Sequence, residues 1–148
     1  MNLSPLTSIS PIDGRYHNAT QSLSAYFSEY ALIRYRLRVE VEYLIMLAEK
    51  KFFSLDSKLK KQLRLLVDEF SVEDAQVIKD TEKTTNHDVK AVEYFLKIKL
   101  ETFGAEKIKE WVHFGLTSQD INNTAIPLLW KDAVEQEYLP ALLNLQQH

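Results

Sequence analysis

Apolar residues recur at three- and four-residue steps along most of this chain, the spacing of one face of an α-helix. Ser28 is placed to cap a helix running to about Lys51, with Leu32, Tyr35, Val39, Tyr43 and Leu47 inward and Arg34, Arg38, Glu42 and Glu49 facing water. A second helix is predicted from about Ser57 to Phe70, burying Leu59, Leu63, Leu66, Val67 and Phe70 beneath a solvated face of Lys58, Lys60, Lys61 and Arg64. Ser71 and Asp74 have the spacing of a capping box and open a short helix carrying Ala75 and Ile78, which fades at Thr84-Thr85-Asn86. The next begins near His87 or Asp88, carries Val89, Val92, Phe95, Leu96 and Leu100, and stops by Gly104. A short helix holding Ile108, Trp111 and Val112 leads into a loop at His113. The last starts at Thr117 or Ser118, with Ile121, Ala125, Leu128, Leu129 and Ala133 as its stripe and Leu139, Leu142, Leu143 and Leu145 continuing the pattern. An interior proline removes a backbone hydrogen bond, so Pro127 predicts a late start or a kink and Pro140 a bend or break. Residues 1–19, with Pro5, Pro11 and Gly14, read as an irregular arm, followed by a short turn through Leu23 and Phe27.

Composition sharpens this into an all-α expectation, because three Gly and four Pro in 148 residues leave little turn chemistry for hairpins. With 45% hydrophobic and 26% charged residues the chain fits one soluble globular domain, and no apolar run approaches the roughly 18 residues of a membrane span. A net charge of −3 gives nucleic acid no electrostatic footprint, so any anion must be held by a local site. The start of the sequence lacks the pattern of a secretory signal and there is no cysteine, which makes cytoplasmic residence the expectation. The chain ends at His148 within a helical pattern and without a stop signal, the mark expected of a fragment.

Two polar stretches concentrate the candidate chemistry: Thr84-Thr85-Asn86-His87-Asp88-Val89-Lys90 and His113-Phe114-Gly115-Leu116-Thr117-Ser118-Gln119-Asp120, each a loop that feeds a helix. Unpaired N–H groups and the positive dipole end at a helix start suit a carboxylate or phosphate, and Thr117 with Ser118 adds two hydroxyls there. The same pair also reads as a plain N-cap. His87 suits acid, base or hydrogen-bond chemistry, while metal binding is not expected without cysteine or a helical His pair at four-residue spacing. In the arm, Gly14 allows a tight turn and Arg15 presents a planar fork suited to phosphate or carboxylate, or is simply an exposed arginine.

Three segments, Ser10-Pro11-Ile12-Asp13-Gly14-Arg15-Tyr16, Thr84 through Leu96, and His113 through Asn123, resemble in order and spacing the first three signature segments of the adenylosuccinate lyases of bacteria, within the fumarase/aspartase superfamily. The resemblance spans essentially the whole chain. It implies an all-α helical N-terminal domain over residues 1–117 and the truncated start of a long central helical bundle over residues 118–148. It further implies an enzyme of purine biosynthesis that works without metal or organic cofactor. That enzyme releases fumarate by β-elimination from adenylosuccinate, giving AMP, and from succinyl-aminoimidazole carboxamide ribotide.

Carried over by position, Arg15 and Tyr16 match nucleotide contacts, with Arg15 suited to the phosphate. Asn86, His87 and Asp88 match a second substrate-binding segment in which the histidine assists, and Thr117 and Ser118 match the pair that holds the carboxylates. The family's Thr-His-Gly-Gln and Ser-Ser-x-Met-Pro segments, which supply the general acid and base, have no counterpart here, and His148 lacks their context. This chain alone is therefore expected to be inactive, and the enzyme to be a homotetramer with a small-molecule nucleotide substrate and neither nucleic-acid nor membrane partners. Another fumarate-releasing lyase, such as argininosuccinate lyase, and a non-catalytic helical interaction module are the competing readings.

Overall fold

The structure is a computed structural model and describes residue 4 and residues 6–147. Of the predicted arm, Met1, Asn2, Leu3 and Pro5 lie outside the described residues, as does His148. Every regular element among the described residues is helical, as the scarcity of turn residues predicts. The arm becomes helical sooner than expected: turns lead into α1 (His17–Thr20), a 3-10 turn (Gln21–Leu23) and α2 (Ser24–Phe27).

The long helix α3 (Glu29–Glu49) forms the axis of the fold. Ser28 caps it, its side-chain oxygen accepting the Ala31 N–H at 3.1 Å. Its inward stripe is not the predicted one. Leu32, Val39 and Tyr43 are only partly covered, whereas Ile33, Leu37, Val41, Leu44 and Ile45 are sealed, together with Tyr35, Leu47 and the charged Arg36 and Glu40. The reason is packing on several sides. Helices α4 (Ser57–Asp68) and α6 (Asp88–Thr102) and the later α7 (Ser118–Ala133) all lie against α3, so it buries most of its circumference and the stripe of a surface helix does not describe it.

Asp56, one residue ahead of the predicted start, caps α4 by accepting the Leu59 N–H at 2.7 Å. Helix α5 (Val72–Thr85) opens with the expected capping box, in which Ser71 Oγ accepts the Asp74 N–H at 3.1 Å and the Asp74 carboxylate accepts the Ser71 N–H at 3.3 Å. It ends at Asn86, whose left-handed backbone (φ 52°, ψ 32°) is a conformation Asn tolerates at a helix end. The main core joins α3, α4, α5 and α6 through residues such as Leu44, Leu63, Ile78, Leu96 and Leu100. The segment around Ile108 and Trp111 is a 3-10 turn (Glu106–Trp111), too short for a packed helical face of its own.

A second, smaller core holds α7 against α2 and α3 through Tyr26, Tyr35, Ala125, Leu129 and Ala133. Tyr35 Oη donates to Asp132 at 2.7 Å and Tyr26 Oη to Gln136 at 2.8 Å, fastening the far end of the helix. Pro127 neither delays nor ends α7, which runs through it. The ring sits on the exposed side, where water can satisfy the carbonyl that loses its partner. Near Pro140 the chain makes a wide π-helical turn (Val134–Tyr138) and continues as α8 (Leu139–Gln146), with the proline in the first turn of α8. In the wide turn the Leu139 N–H reaches back to the Val134 carbonyl, an i→i−5 bond that loosens the backbone just ahead of a ring that would crowd the preceding turn of an ordinary α-helix. Along α7 and α8, Trp130, Tyr138, Leu142, Leu143 and Leu145 are exposed. Among the described residues no helix is long and apolar enough to cross a membrane.

Candidate functional site

The two polar stretches meet at the adjoining starts of α6 and α7. His87 is the N-cap of α6, and its Nδ1 accepts the Lys90 N–H at 3.2 Å. An Nδ1 that accepts a backbone N–H carries no proton, so the neutral ring bears its proton on Nε2. That atom lies 3.2 Å from Ser118 Oγ, across 31 residues of sequence. In that tautomer the imidazole donates to the serine oxygen, and the serine's own O–H has no acceptor among the described residues.

Thr117 differs from its neighbour. As N-cap of α7 it gives both its N–H, at 2.7 Å, and its hydroxyl, at 2.8 Å, to the Asp120 carboxylate. Those two hydrogen bonds hold the Asp120 carboxyl below the usual carboxylate range. The pair that looked equivalent in the sequence thus divides into a committed cap and a free hydroxyl. Ser118 stands in the first turn of α7, among N–H groups that have no helical acceptor.

Asp88 binds inward. Its carboxylate accepts the Val89 N–H at 2.8 Å and faces Arg36 Nη2 at 2.7 Å, while Arg36 Nε–H donates to Asn122 Oδ1 at 2.9 Å. Arg36, buried on α3, is thereby a strap between the starts of α6 and α7. Sequence reasoning missed it. The available signal was a charge one helical turn from Leu32, Ile33, Val39 and Glu40, on a helix too apolar to leave any side free. Burial alone pushes the Asp88 carboxyl up, but the Val89 N–H and the Arg36 guanidinium outweigh it and hold the group below its ordinary value. The His87 Nδ1 to Asp88 Oδ1 separation of 3.7 Å is too long for a hydrogen bond, so the neighbouring acid does not orient the imidazole.

The sign of the Asp88 shift sets a pH dependence. A carboxyl with a depressed folded-state pKa contributes stability that is fully present above its unfolded value of about 3.9 and is lost as pH falls through the folded value. Asp88→Asn is expected to lower unfolding free energy by about 1 kcal/mol at neutral pH, discounted for the solvent around a half-exposed carboxylate. Urea titrations should show this difference shrinking below about pH 4.

Behind the loop lies a buried ionic cluster that the sequence also hid. His113 adopts a left-handed backbone (φ 60°), and its ring lies between two acids, Nδ1 being 2.5 Å from Glu40 Oε1 and Nε2 3.7 Å from Glu93 Oε1. Glu40 is 0% and Glu93 4% exposed. Lys90 Nζ reaches Glu93 Oε2 at 2.7 Å, whereas Glu40 Oε2 is buried without a partner among the described residues. Burial drives the Glu40 carboxyl above its ordinary value despite the opposing pull of His113.

Asn86 borders an open pocket with His87, Asp88, Lys79, Glu82 and Lys83, in which Lys79 is paired with Glu29 and Glu82 and Lys83 with Asp80. Arg15 and Tyr16 are exposed on the arm, with the guanidinium 5.2 Å from the Tyr16 ring centre. Among the described residues no hydrogen bond or ion pair joins them to Asn86, His87, Asp88, Thr117 or Ser118. One chain therefore unites two of the three predicted segments and leaves the first apart. No group of three or more His, Asp or Glu suited to a metal occurs among the described residues.

Residues 14–148 match the model of a family described as Lyase. The chain is 54% identical to an adenylosuccinate lyase of Dictyostelium discoideum, over 96% of this chain and 32% of that protein. It is 46% identical to the adenylosuccinate lyase of Escherichia coli (strain K12), over 95% and 32%, and 45% identical to that of Legionella pneumophila (strain Corby), over 98% and 33%. The chain thus spans about a third of the length of the curated relatives it matches. With the family match running through nearly every helix described above, from the arm's Gly14 to the end, this chain belongs to the lyase family.

Proposed function

We propose that this chain is the N-terminal third of an adenylosuccinate lyase, which eliminates fumarate from adenylosuccinate and from succinyl-aminoimidazole carboxamide ribotide in purine biosynthesis. The carrying observation is similarity to proteins of that name over nearly all of the chain. The geometry agrees. β-Elimination removes a proton next to a carboxylate, so negative charge builds on that carboxylate in the transition state. Fixed donors aimed there stabilise the transition state more than the ground state. The Ser118 hydroxyl and the free N–H groups at the start of α7 are such donors, and His87 sets the direction of the hydroxyl.

In this reading residues 1–117 are an N-terminal domain and residues 118–148 begin a central bundle. The substrate-binding residues are Arg15, Tyr16, Asn86, His87, Asp88, Thr117 and Ser118. Asp88 and Thr117 act mainly by building the site, since their polar atoms face Arg36 and Asp120. The general acid and base come from the remainder of the enzyme. The apolar surface of α7 and α8 is the kind that copies of a chain cover, in keeping with a cytoplasmic homotetramer in which the arm of one subunit brings Arg15 and Tyr16 to the site of another.

The test is fumarate release from adenylosuccinate by the full-length protein, followed in the wild type and in Ser118→Ala. Loss of one charge-assisted hydrogen bond is expected to lower kcat/KM about tenfold to a hundredfold. The 148-residue chain alone is expected to release none. A full-length protein that leaves adenylosuccinate intact but cleaves argininosuccinate, or cleaves neither, overturns the assignment.

A further inference from the structure

We propose that Glu40, remote from the free hydroxyl, is a positioning residue for the substrate site: through His113 it holds the 113–117 loop in the path that aims Ser118 at His87. The proposal rests on the function proposed above and adds to it the means by which the site is kept in shape. The loop follows an unusual course, with left-handed backbone at His113 (φ 60°) and again at Gly115 (φ 72°). Glycine adopts that conformation freely, whereas histidine, though found there more often than most residues, adopts it at some cost. Two anchors on α3 reach the loop: Tyr43 Oη donates to the Phe114 carbonyl at 2.8 Å, and Glu40 meets the His113 ring at 2.5 Å. Only the second lies in the interior. The side chain of His113 is 13% and that of Glu40 0% exposed. Two residues after Leu116 the chain reaches Ser118, so a change in the His113 anchor is passed directly to the start of α7.

Charge makes the anchor conditional. The groups facing His113 are Glu40 from α3, Glu93 with its partner Lys90 from α6, and Asp120 in the first turn of α7. Lys90 answers Glu93, which leaves Glu40 to be neutralised by a single proton held between it and the imidazole. A buried carboxylate deprived of that proton is an unpaired charge, so the loop is held below the pH at which the pair loses it and loosens above.

Glu40→Gln in the full-length enzyme keeps the size and hydrogen-bonding capacity of the side chain and removes the charge. With adenylosuccinate as substrate, KM is expected to rise about tenfold while kcat changes less, and the alkaline fall of kcat/KM that comes from stranding the Glu40 carboxylate should be lost, since the amide has no charge to strand. Glu93→Gln, at the longer distance, should act in the same direction with smaller effect, and it serves if Glu40→Gln does not fold. The His113 ring-proton resonances, recorded by NMR at a single pH, report without reference to activity, and they should be displaced in Glu40→Gln as the ring loses its carboxylate neighbour. A folded Glu40→Gln protein with KM, alkaline limb and ring resonances all unchanged overturns the inference. A wild type inactive on adenylosuccinate, but with the ring resonances displaced by Glu40→Gln, overturns the substrate assignment and leaves the Glu40–His113 anchor standing.

Discussion

His113→Ala is expected to destabilise the fold by about 3–5 kcal/mol at neutral pH, the cost of leaving a buried charge without its partner. The stranded group is Glu40, fully buried and already short of a partner at Oε2. The sign of the pH dependence follows from its raised pKa. Between the unfolded value of about 4.3 and the folded value, the native state binds a proton that the unfolded chain does not, so stability falls as pH rises through that window. His113 opposes the rise, and removing it widens the window upward. Denaturant titrations of His113→Ala should therefore show the deficit growing from pH 4 towards neutrality, relative to the wild type. In a double-mutant cycle, Glu40→Gln combined with His113→Ala should cost less than the two single changes added, because the amide needs no counter-charge. A deficit that does not vary with pH would mean that packing, and not charge, is what the histidine supplies.

Leu44→Ala is expected to cost about 2–5 kcal/mol, the range for a large aliphatic side chain removed from a sealed core. Leu44 is 0% exposed and lies on α3 in the same cluster as Leu63, Ile78 and Leu96. The neighbours belong to separate helices, each held at both ends, so they cannot collapse fully into the vacated volume. Leu32→Ala, on the same helix but only partly covered, is a useful contrast and should cost less. Thermal melts of the two variants rank the stripes of α3 directly, and equal losses would contradict the burial pattern.

That contrast also shows where the sequence could be read and where it could not. Local signals were legible because their physics is local: Ser28, Ser71 and Thr117 sit at helix starts as their short polar side chains require, and Asn86 ends α5 in a conformation few other residues accept. The periodicities of α4 and α6 were legible because each buries one main side. The stripe of α3 was misread because its burial is decided by which helices surround it, a matter settled between residues about 80 to 100 positions apart, such as Arg36 with Asn122 and Tyr35 with Asp132. The same holds for the site. The polar turns at Asn86-His87-Asp88 and Thr117-Ser118 announced themselves by composition, whereas Arg36, Glu40 and Glu93 lay among apolar residues and acquired partners only through the fold. The division of Thr117 from Ser118 was likewise invisible, since it turns on which way Asp120 faces.

The wide turn at Val134–Tyr138 has a consequence for the helices beyond it. An ordinary α-helix advances about 100° per residue, so one extra residue accommodated in a turn swings every later side chain round the axis by that angle. Deleting a single residue there as the turn closes to an ordinary α-helix would leave Leu142 and Leu145 at their present azimuth, whereas straightening the turn without a deletion would swing them by about 100°, the site some 25 Å away, by the rise of about 1.5 Å per residue, being untouched in either case. The turn therefore acts as an angular vernier: it sets which side of the emerging helix meets a neighbour without disturbing the loops where the chemistry is prepared.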